Sequence, residues 1–207
     1  MTCLDKIIKE IKKLKEPTLL IRLAEGSPLP KSDALLGNIC VVDQGAGIVQ
    51  KDYKYWSKYY ENKKDSFTNE KGNSILKGFR FYPIQPADQQ LSKSIFHFCQ
   101  KFCRTDSLYM SDIVTCDSFY TAVPNSDLLF GDGNVGFYED VSKNYPRAMC
   151  SDMDAGLLLL SASNSQVRAS VCLILALSKT SSINEIVIDE IESKTIYACL
   201  QALVGVV

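Results

Sequence analysis

The chain is poor in the residues that most often do chemistry at neutral pH. Of its 207 residues, one is histidine and one is tryptophan. The lone histidine, His97, sits in the middle of a helical pattern, so imidazole-based acid–base or metal chemistry has a single candidate. There is no excess of either charge: 23 lysines and arginines face 24 aspartates and glutamates, for a formal net charge of -1. This removes the electrostatic case for nucleic acid or a membrane surface as partner. No apolar run is long enough to span a bilayer. No glycine-rich phosphate loop of the P-loop or dinucleotide type is present, and there is no internal repeat. The opening residues, Met1 to Lys6, carry mixed charge and spaced apolar side chains, so no export signal is read there.

What is present suits one globular domain over residues 1–207, with 46% hydrophobic residues to form a core. Eight cysteines are scattered singly through apolar segments. Without an export signal they read as buried free thiols rather than disulfides, and the expected setting is the cytoplasm. Cys99 and Cys103 lie one turn apart on the helix that carries His97. With no second ligand cluster in the sequence, core cysteines and no metal site are expected.

Leu4, Ile7, Ile8, Ile11 and Leu14 fall at helical spacing, with lysines opposite. Thr18 to Leu23 reads as a buried strand interrupted by Arg22 and broken by Gly26, Pro28 and Pro30. Gly37 to Val42 is a second strand, followed by a turn at Asp43 to Gly47. From Lys51 to Gly78 the composition shifts to tyrosines, lysines and a polar run. It reads as an irregular excursion: a surface loop or flap, or else a subunit contact or substrate lid. Pro86 opens a helix that ends near Arg104. Ser111 to Cys116 is a strand, Gly133 to Asn144 a helix, Val167 to Leu177 a strongly apolar strand, and Ile186 to Leu203 a closing helix. Strands alternating with helices imply an α/β sheet with helices on its faces.

The chain is organised around Met149 to Leu157. Pro146 to Cys150 reads as a short buried strand, Ser151-Asp152-Met153-Asp154 as an acidic turn, and Leu157 onward as a buried helix. Ligand sites of open α/β sheets sit where a strand stops and a helix begins. Asp152 and Asp154 are therefore either a working carboxylate pair or helix-start residues that satisfy free N–H groups and the helix dipole.

Several segments, in order, resemble the nucleoside phosphorylase superfamily, and its uridine phosphorylase branch in particular. Leu19 to Gly26 looks like the family strand I-I-R-x-G-T-x-G, and Leu36 to Val42 like the G-D-I-V-V strand after it. Thr115-Cys116-Asp117-Ser118-Phe119-Tyr120 is similar to S-S-D-x-F-Y. Ser151 to Ala155 resembles the E-M-E-S/A turn that holds ribose, and Leu177 to Thr180 the N-R-T of the uracil pocket. The resemblance implies a three-layer α/β/α sandwich with a central mixed sheet and an oligomer built on a dimer. It implies a pyrimidine nucleoside as ligand, and phosphate as co-substrate with no cofactor. Residue by residue, it places Arg22 at the phosphate arginine, Met153 at the ribose-packing methionine and Asp154 at the ribose-binding glutamate. Asp152 lies beside them, Phe119 matches the base-stacking aromatic, and Lys179 stands where an arginine closes the base pocket.

The departures bear on activity. Glu25 occupies the position of a phosphate-binding threonine. A carboxylate about 4 Å from phosphate costs on the order of 4 kcal/mol per unit charge at an effective dielectric near 20. Val123 and Asn125 stand where glutamine and arginine read uracil. The family's first strand, with its G-D-P-x-R phosphate loop, has no counterpart in the sequence. The expectation is a nucleoside-binding or non-catalytic subunit, impaired or inactive alone, as a homodimer or paired with a full-length phosphorylase. The alternative is an active phosphorylase or nucleosidase that cleaves the N-glycosidic bond. In the nucleosidase case Glu25, near Asp154 and Arg22, acts as base on a water molecule.

Overall fold

The computed structural model describes residues 18–30, 32–51, 79–103, 107–117, 137–176 and 185–206, together with Glu10 and Lys13. In chain order the elements are β1 (Leu19–Pro28), β2 (Ile39–Lys51), β3 (Phe79–Pro86), α1 (Gln89–Phe102), β4 (Leu108–Cys116), α2 (Phe137–Asn144), β5 (Ala148–Asp152), α3 (Ala155–Asn164), β6 (Arg168–Leu175) and α4 (Glu185–Val206). The helix expected over residues 4–14 and the excursion expected over 51–78 lie outside the described residues, apart from Glu10, Lys13 and the strand-ending Lys51.

The sheet is mixed and closes on itself. β1 runs parallel to β6 from Leu19 to Gly26, and its last two residues pair antiparallel with β5. β5 is parallel to β4, and β4 to β2. Ile39, Cys40 and Val41 of β2 return antiparallel to Ile174, Leu173 and Cys172 of β6, which completes the ring. β3 hangs on the far half of β2.

Alternation along each strand sorts the core into layers. Cys40 and Val42 of β2, Val171, Leu173 and Leu175 of β6, and Leu20 and Ala24 of β1 pack with Ala155, Leu158, Leu159 and Ala162 of α3. The intervening residues Ile39, Val41, Cys172, Leu19, Ile21 and Leu23 face α1 and α4. A third cluster gathers Val49, Phe79, Val114 and Cys116 under Phe137, Val141 and Tyr145 at α2. Helices therefore cover both faces of a central mixed sheet, the α/β/α layering that the sequence implied.

Three expectations need correction. Gly26 and Pro28 do not end β1; it stays extended to Pro28 because Gly26 fits against Leu173 and the Ser151 carbonyl, where a Cβ would sit 3.0 Å from each. Asp43 to Gly47 is not a turn. It is a bulge inside the long β2, and buried Asp112 accepts hydrogen bonds from the Gln44 and Gly45 amides there at 2.9 and 3.4 Å. Helix α1 begins at Gln89 rather than Pro86, because the Asp88 carboxylate takes the Leu91 N–H at 2.8 Å and caps it. Strand β3 was not read from the sequence. It carries two prolines and exposed aromatic and charged residues and lacks clean alternation, which fits an edge strand.

Candidate functional site

The Asp152–Met153–Asp154 turn joins β5 to α3. Asp152 ends β5 opposite Thr115 of β4, with its side chain 1% exposed. Its Oδ1 accepts from the Thr115 hydroxyl at 2.6 Å, and its Oδ2 accepts from the amides of Asp154 at 3.1 Å and Ala155 at 2.7 Å. Thr115 Oγ1 in turn accepts the Gly156 N–H at 2.7 Å. The amides of Asp154, Ala155 and Gly156 at the start of α3 are thus satisfied from Asp152 and Thr115. Asp154, at the N-cap position itself, makes no capping bond with its side chain. Gly156 is required here, since a Cβ would lie 2.5 Å from Ile48 Cγ1 and 3.2 Å from Thr115 Oγ1.

Arg22 reaches this turn from β1, on the face it shares with Leu20 and Ala24. One guanidinium nitrogen donates to Asp154 Oδ2 at 3.1 Å, and Nε lies 3.8 Å from Asp152 Oδ2. That second separation is an ion pair rather than a hydrogen bond, and the buried Nε–H has no hydrogen-bond acceptor among the described residues. Burial raises the Asp152 carboxyl above its ordinary range. Its hydrogen bonds from Thr115, Asp154 and Ala155 and the charge of Arg22 work the other way. The cluster thus contains one guanidinium between two carboxylates. One carboxylate is sealed, and the other is 59% exposed beside Met153, itself 42% exposed.

The structure brings together Arg22, Asp152, Met153 and Asp154. It does not bring Glu25 to them. Glu25 pairs with Ile174, an odd number of residues along β1 from Arg22, and is exposed on the opposite side of the sheet. A carboxylate there cannot act as base on a water molecule held at Asp154, which corrects the role given to it above. Phe119 and Lys179, like Val123 and Asn125, lie outside the described residues. His97 is exposed on α1, on the other side of the sheet, with its ring against Phe98.

Thr115 and Gly156 are the residues that the sequence left without a role. The signals for Thr115 are its place at the end of a predicted strand and at the head of the segment resembling S-S-D-x-F-Y; its pairing with the acidic turn comes only from the fold. A groove of about 220 Å³, lined by Leu29, Pro30, Tyr138, Tyr145 and their neighbours, lies away from these groups, between the end of β1 and α2. Among the described residues no group of three or more His, Cys, Asp or Glu side chains is placed to hold a metal ion. No helix is long and apolar enough to cross a membrane.

No protein-family model matches the chain, and no curated protein matches it in sequence. Solved structures do match. A uridine phosphorylase of the oomycete Phytophthora capsici superposes with a TM-score of 0.72 at 17% identity, covering 96% of this chain and 69% of that one. A Trypanosoma brucei nucleoside phosphorylase with uridine phosphorylase activity gives 0.61 at 15% identity, over 91% and 64%. A putative methylthioadenosine nucleosidase of Weissella paramesenteroides gives 0.57 at 16%, over 97% and 72%. The chain spans roughly two thirds of the length of these proteins. Its closed mixed sheet with helices on both faces has the fold of these nucleoside phosphorylases and of the putative nucleosidase.

Proposed function

We propose that the chain binds a nucleoside, with a pyrimidine base, by its ribose at Asp154 and Met153, and does not carry out phosphorolysis by itself. The observation that carries this reading is the state of Arg22. It stands where the resemblance puts the phosphate arginine, yet it is already engaged by Asp154 at 3.1 Å and lies 3.8 Å from Asp152. Two carboxylates to one guanidinium leave the cluster with a deficit of positive charge, which opposes a phosphate dianion and tolerates a neutral sugar. The exposed carboxylate of Asp154 can accept from two ribose hydroxyls, and Met153 offers apolar surface to the sugar ring. A second subunit of the same fold, as a homodimer or a paired phosphorylase, would supply the phosphate and base contacts. The exposed stripe of Met153, Leu157 and Leu160 along α3, beside the turn, supports such a contact.

The test is titration calorimetry with uridine, alongside chromatographic assay of uracil release with and without phosphate. Binding that is lost in Asp154→Ala, with no uracil released by the chain alone, is the expected result. Ribose 1-phosphate formed at an ordinary enzyme rate sinks the proposal. The same charge balance favours a second reading, hydrolysis by water, because carboxylates stabilise an oxocarbenium-like transition state without a phosphate site. Free ribose as product would identify it.

A further inference from the structure

Asp154 stands at the N-cap position of α3 but does no capping. Its φ and ψ are -140° and -16°, and its side chain takes none of the helix amides. Those of Ala155 and Gly156 go to Asp152 and Thr115 instead. The Asp154 carboxylate is therefore relieved of any helix role. Among the described residues the one polar partner of that side chain is Arg22, whose terminal nitrogen donates to Oδ2 at 3.1 Å. Arg22 is held unevenly. Its buried Nε–H has no acceptor among the described residues, because Asp152 Oδ2 lies 3.8 Å away. Asp152 is fixed where it is. Its Oδ1 is held by the Thr115 hydroxyl and its Oδ2 by two amides, in a side chain 1% exposed. The solvent-facing members of the cluster are Arg22 and Asp154, with side chains 27% and 59% exposed.

We propose that the Arg22–Asp154 ion pair is a latch over the sugar site, an autoinhibitory contact that a nucleoside must open before its ribose can take both oxygens of Asp154. This rests on the reading of Asp154 as the ribose ligand given above. It adds that the free chain is latched, and that Asp152 is the fixed charge against which Arg22 settles once the latch opens. The geometry suits a contact that opens. The pair is partly exposed, so water and salt screen it, and such pairs shift an equilibrium by roughly fivefold at most. The hydrogen bond lost on opening is offset. A shift of the guanidinium by about 1 Å toward Asp152 brings the unmet Nε–H within reach of a carboxylate. The guanidinium passes from one carboxylate of the turn to the other, so no charge is stranded at the sheet. The incoming ligand is a neutral polyhydroxyl group, which competes with Arg22 for the same acceptor and offers the guanidinium no charge in exchange.

The test is calorimetric titration of the intact chain with uridine in phosphate-free buffer, at about 0.02 and 0.5 M sodium chloride. Arg22→Met and Asp154→Ala are titrated alongside. Uridine is uncharged at neutral pH, so a site without a latch binds it with little response to salt. With the latch, salt weakens the ion pair, and uridine affinity should rise about two- to threefold from low to high salt. In Arg22→Met, an unbranched side chain without the charge, affinity at low salt should rise about two- to fivefold and the salt response should vanish. The salt series on the unaltered chain holds whether or not the variant folds. Affinity that is flat or falls with salt in the unaltered chain overturns the latch. So does a rise that persists in Arg22→Met, or a folded Arg22→Met chain that binds uridine no tighter. In each of these cases, loss of binding in Asp154→Ala leaves the ribose reading standing. If neither the unaltered chain nor Arg22→Met takes up uridine at either salt, the ribose reading and the latch fall together. Uptake by Arg22→Met alone, abolished by adding Asp154→Ala, is the latch in its strongest form.

Discussion

Replacing Thr115 with valine keeps the shape of a fully buried side chain and removes one oxygen. That oxygen serves two partners, donating to Asp152 at 2.6 Å and accepting from the Gly156 amide at 2.7 Å. A hydrogen bond to a charged group contributes roughly 1.5–3 kcal/mol, and a buried N–H left without an acceptor costs about 1–3 kcal/mol. Allowing for partial relaxation, Thr115→Val should destabilise by about 3 kcal/mol, a large share of a typical total of about 5–15 kcal/mol. With a urea slope near 2 kcal/mol per molar, the unfolding midpoint should fall by about 1.5 M at unchanged slope. Thr115→Ser, which keeps the hydroxyl, should lose less than half as much. The effect also has a pH signature. Burial raises the Asp152 carboxyl in the folded state, so its contribution to stability is fully present below the unfolded value of 3.8 and is lost as pH rises through the folded value. The Thr115 bond opposes that rise, so removing it extends the loss to higher pH. The penalty of Thr115→Val should therefore fall in acid to the share owed to the Gly156 amide and grow as pH climbs above 3.8. A midpoint shift below about 0.5 M, an equal loss in the serine variant, or a penalty independent of pH would refute the Thr115–Asp152 account.

Gly156→Ala should cost about 1–2 kcal/mol in spite of alanine's better helix propensity, because its Cβ would meet Ile48 Cγ1 at 2.5 Å. Calorimetry should show a melting temperature lower by about 5 °C. Asp88→Ala removes the cap of α1 and the bond from Arg168 Nε at 2.7 Å. Arg168 is 37% exposed, so the ion pair adds little to a cap of about 1 kcal/mol. Because that pair lowers the Asp88 carboxyl, its stabilisation is present above 3.8 and lost as pH falls through the folded value. Urea midpoints between about pH 2 and 6 should therefore slope less in the variant. Glu25→Gln should leave nucleoside binding unchanged while Asp154→Ala abolishes it; equal losses in calorimetry would contradict the face assignment of β1.

The acidic turn was legible because its signals are local. A short apolar strand, two carboxylates and a run of leucines specify strand, turn and helix within a dozen residues, and the division of labour follows from Asp152 accepting the amides of Asp154 and Ala155. Six of the seven described thiols were legible as buried and unpaired for the same reason, since each sits in an apolar segment; Cys103 is partly exposed at the end of α1. What Arg22 meets was not legible. Its partners are 130 and 132 residues away, and only the antiparallel joining of β1 to β5 brings them within 4 Å. Nor could the sequence place Glu25. Gly26 and Pro28 predict a broken strand, which would let Glu25 turn toward Arg22. In the fold the Gly26 backbone lies close against Leu173 and the Ser151 carbonyl, β1 continues extended, and alternation sends the two side chains to opposite faces. The sequence by itself determined most of the described elements, the edge strand β3 excepted, and which residues are apolar or ionisable, because these depend on neighbours along the chain. Ring closure through β2 and β6 and the pairing of Thr115 with Asp152 were decided by tertiary structure alone, because strand register and packing bring together residues that no local pattern connects.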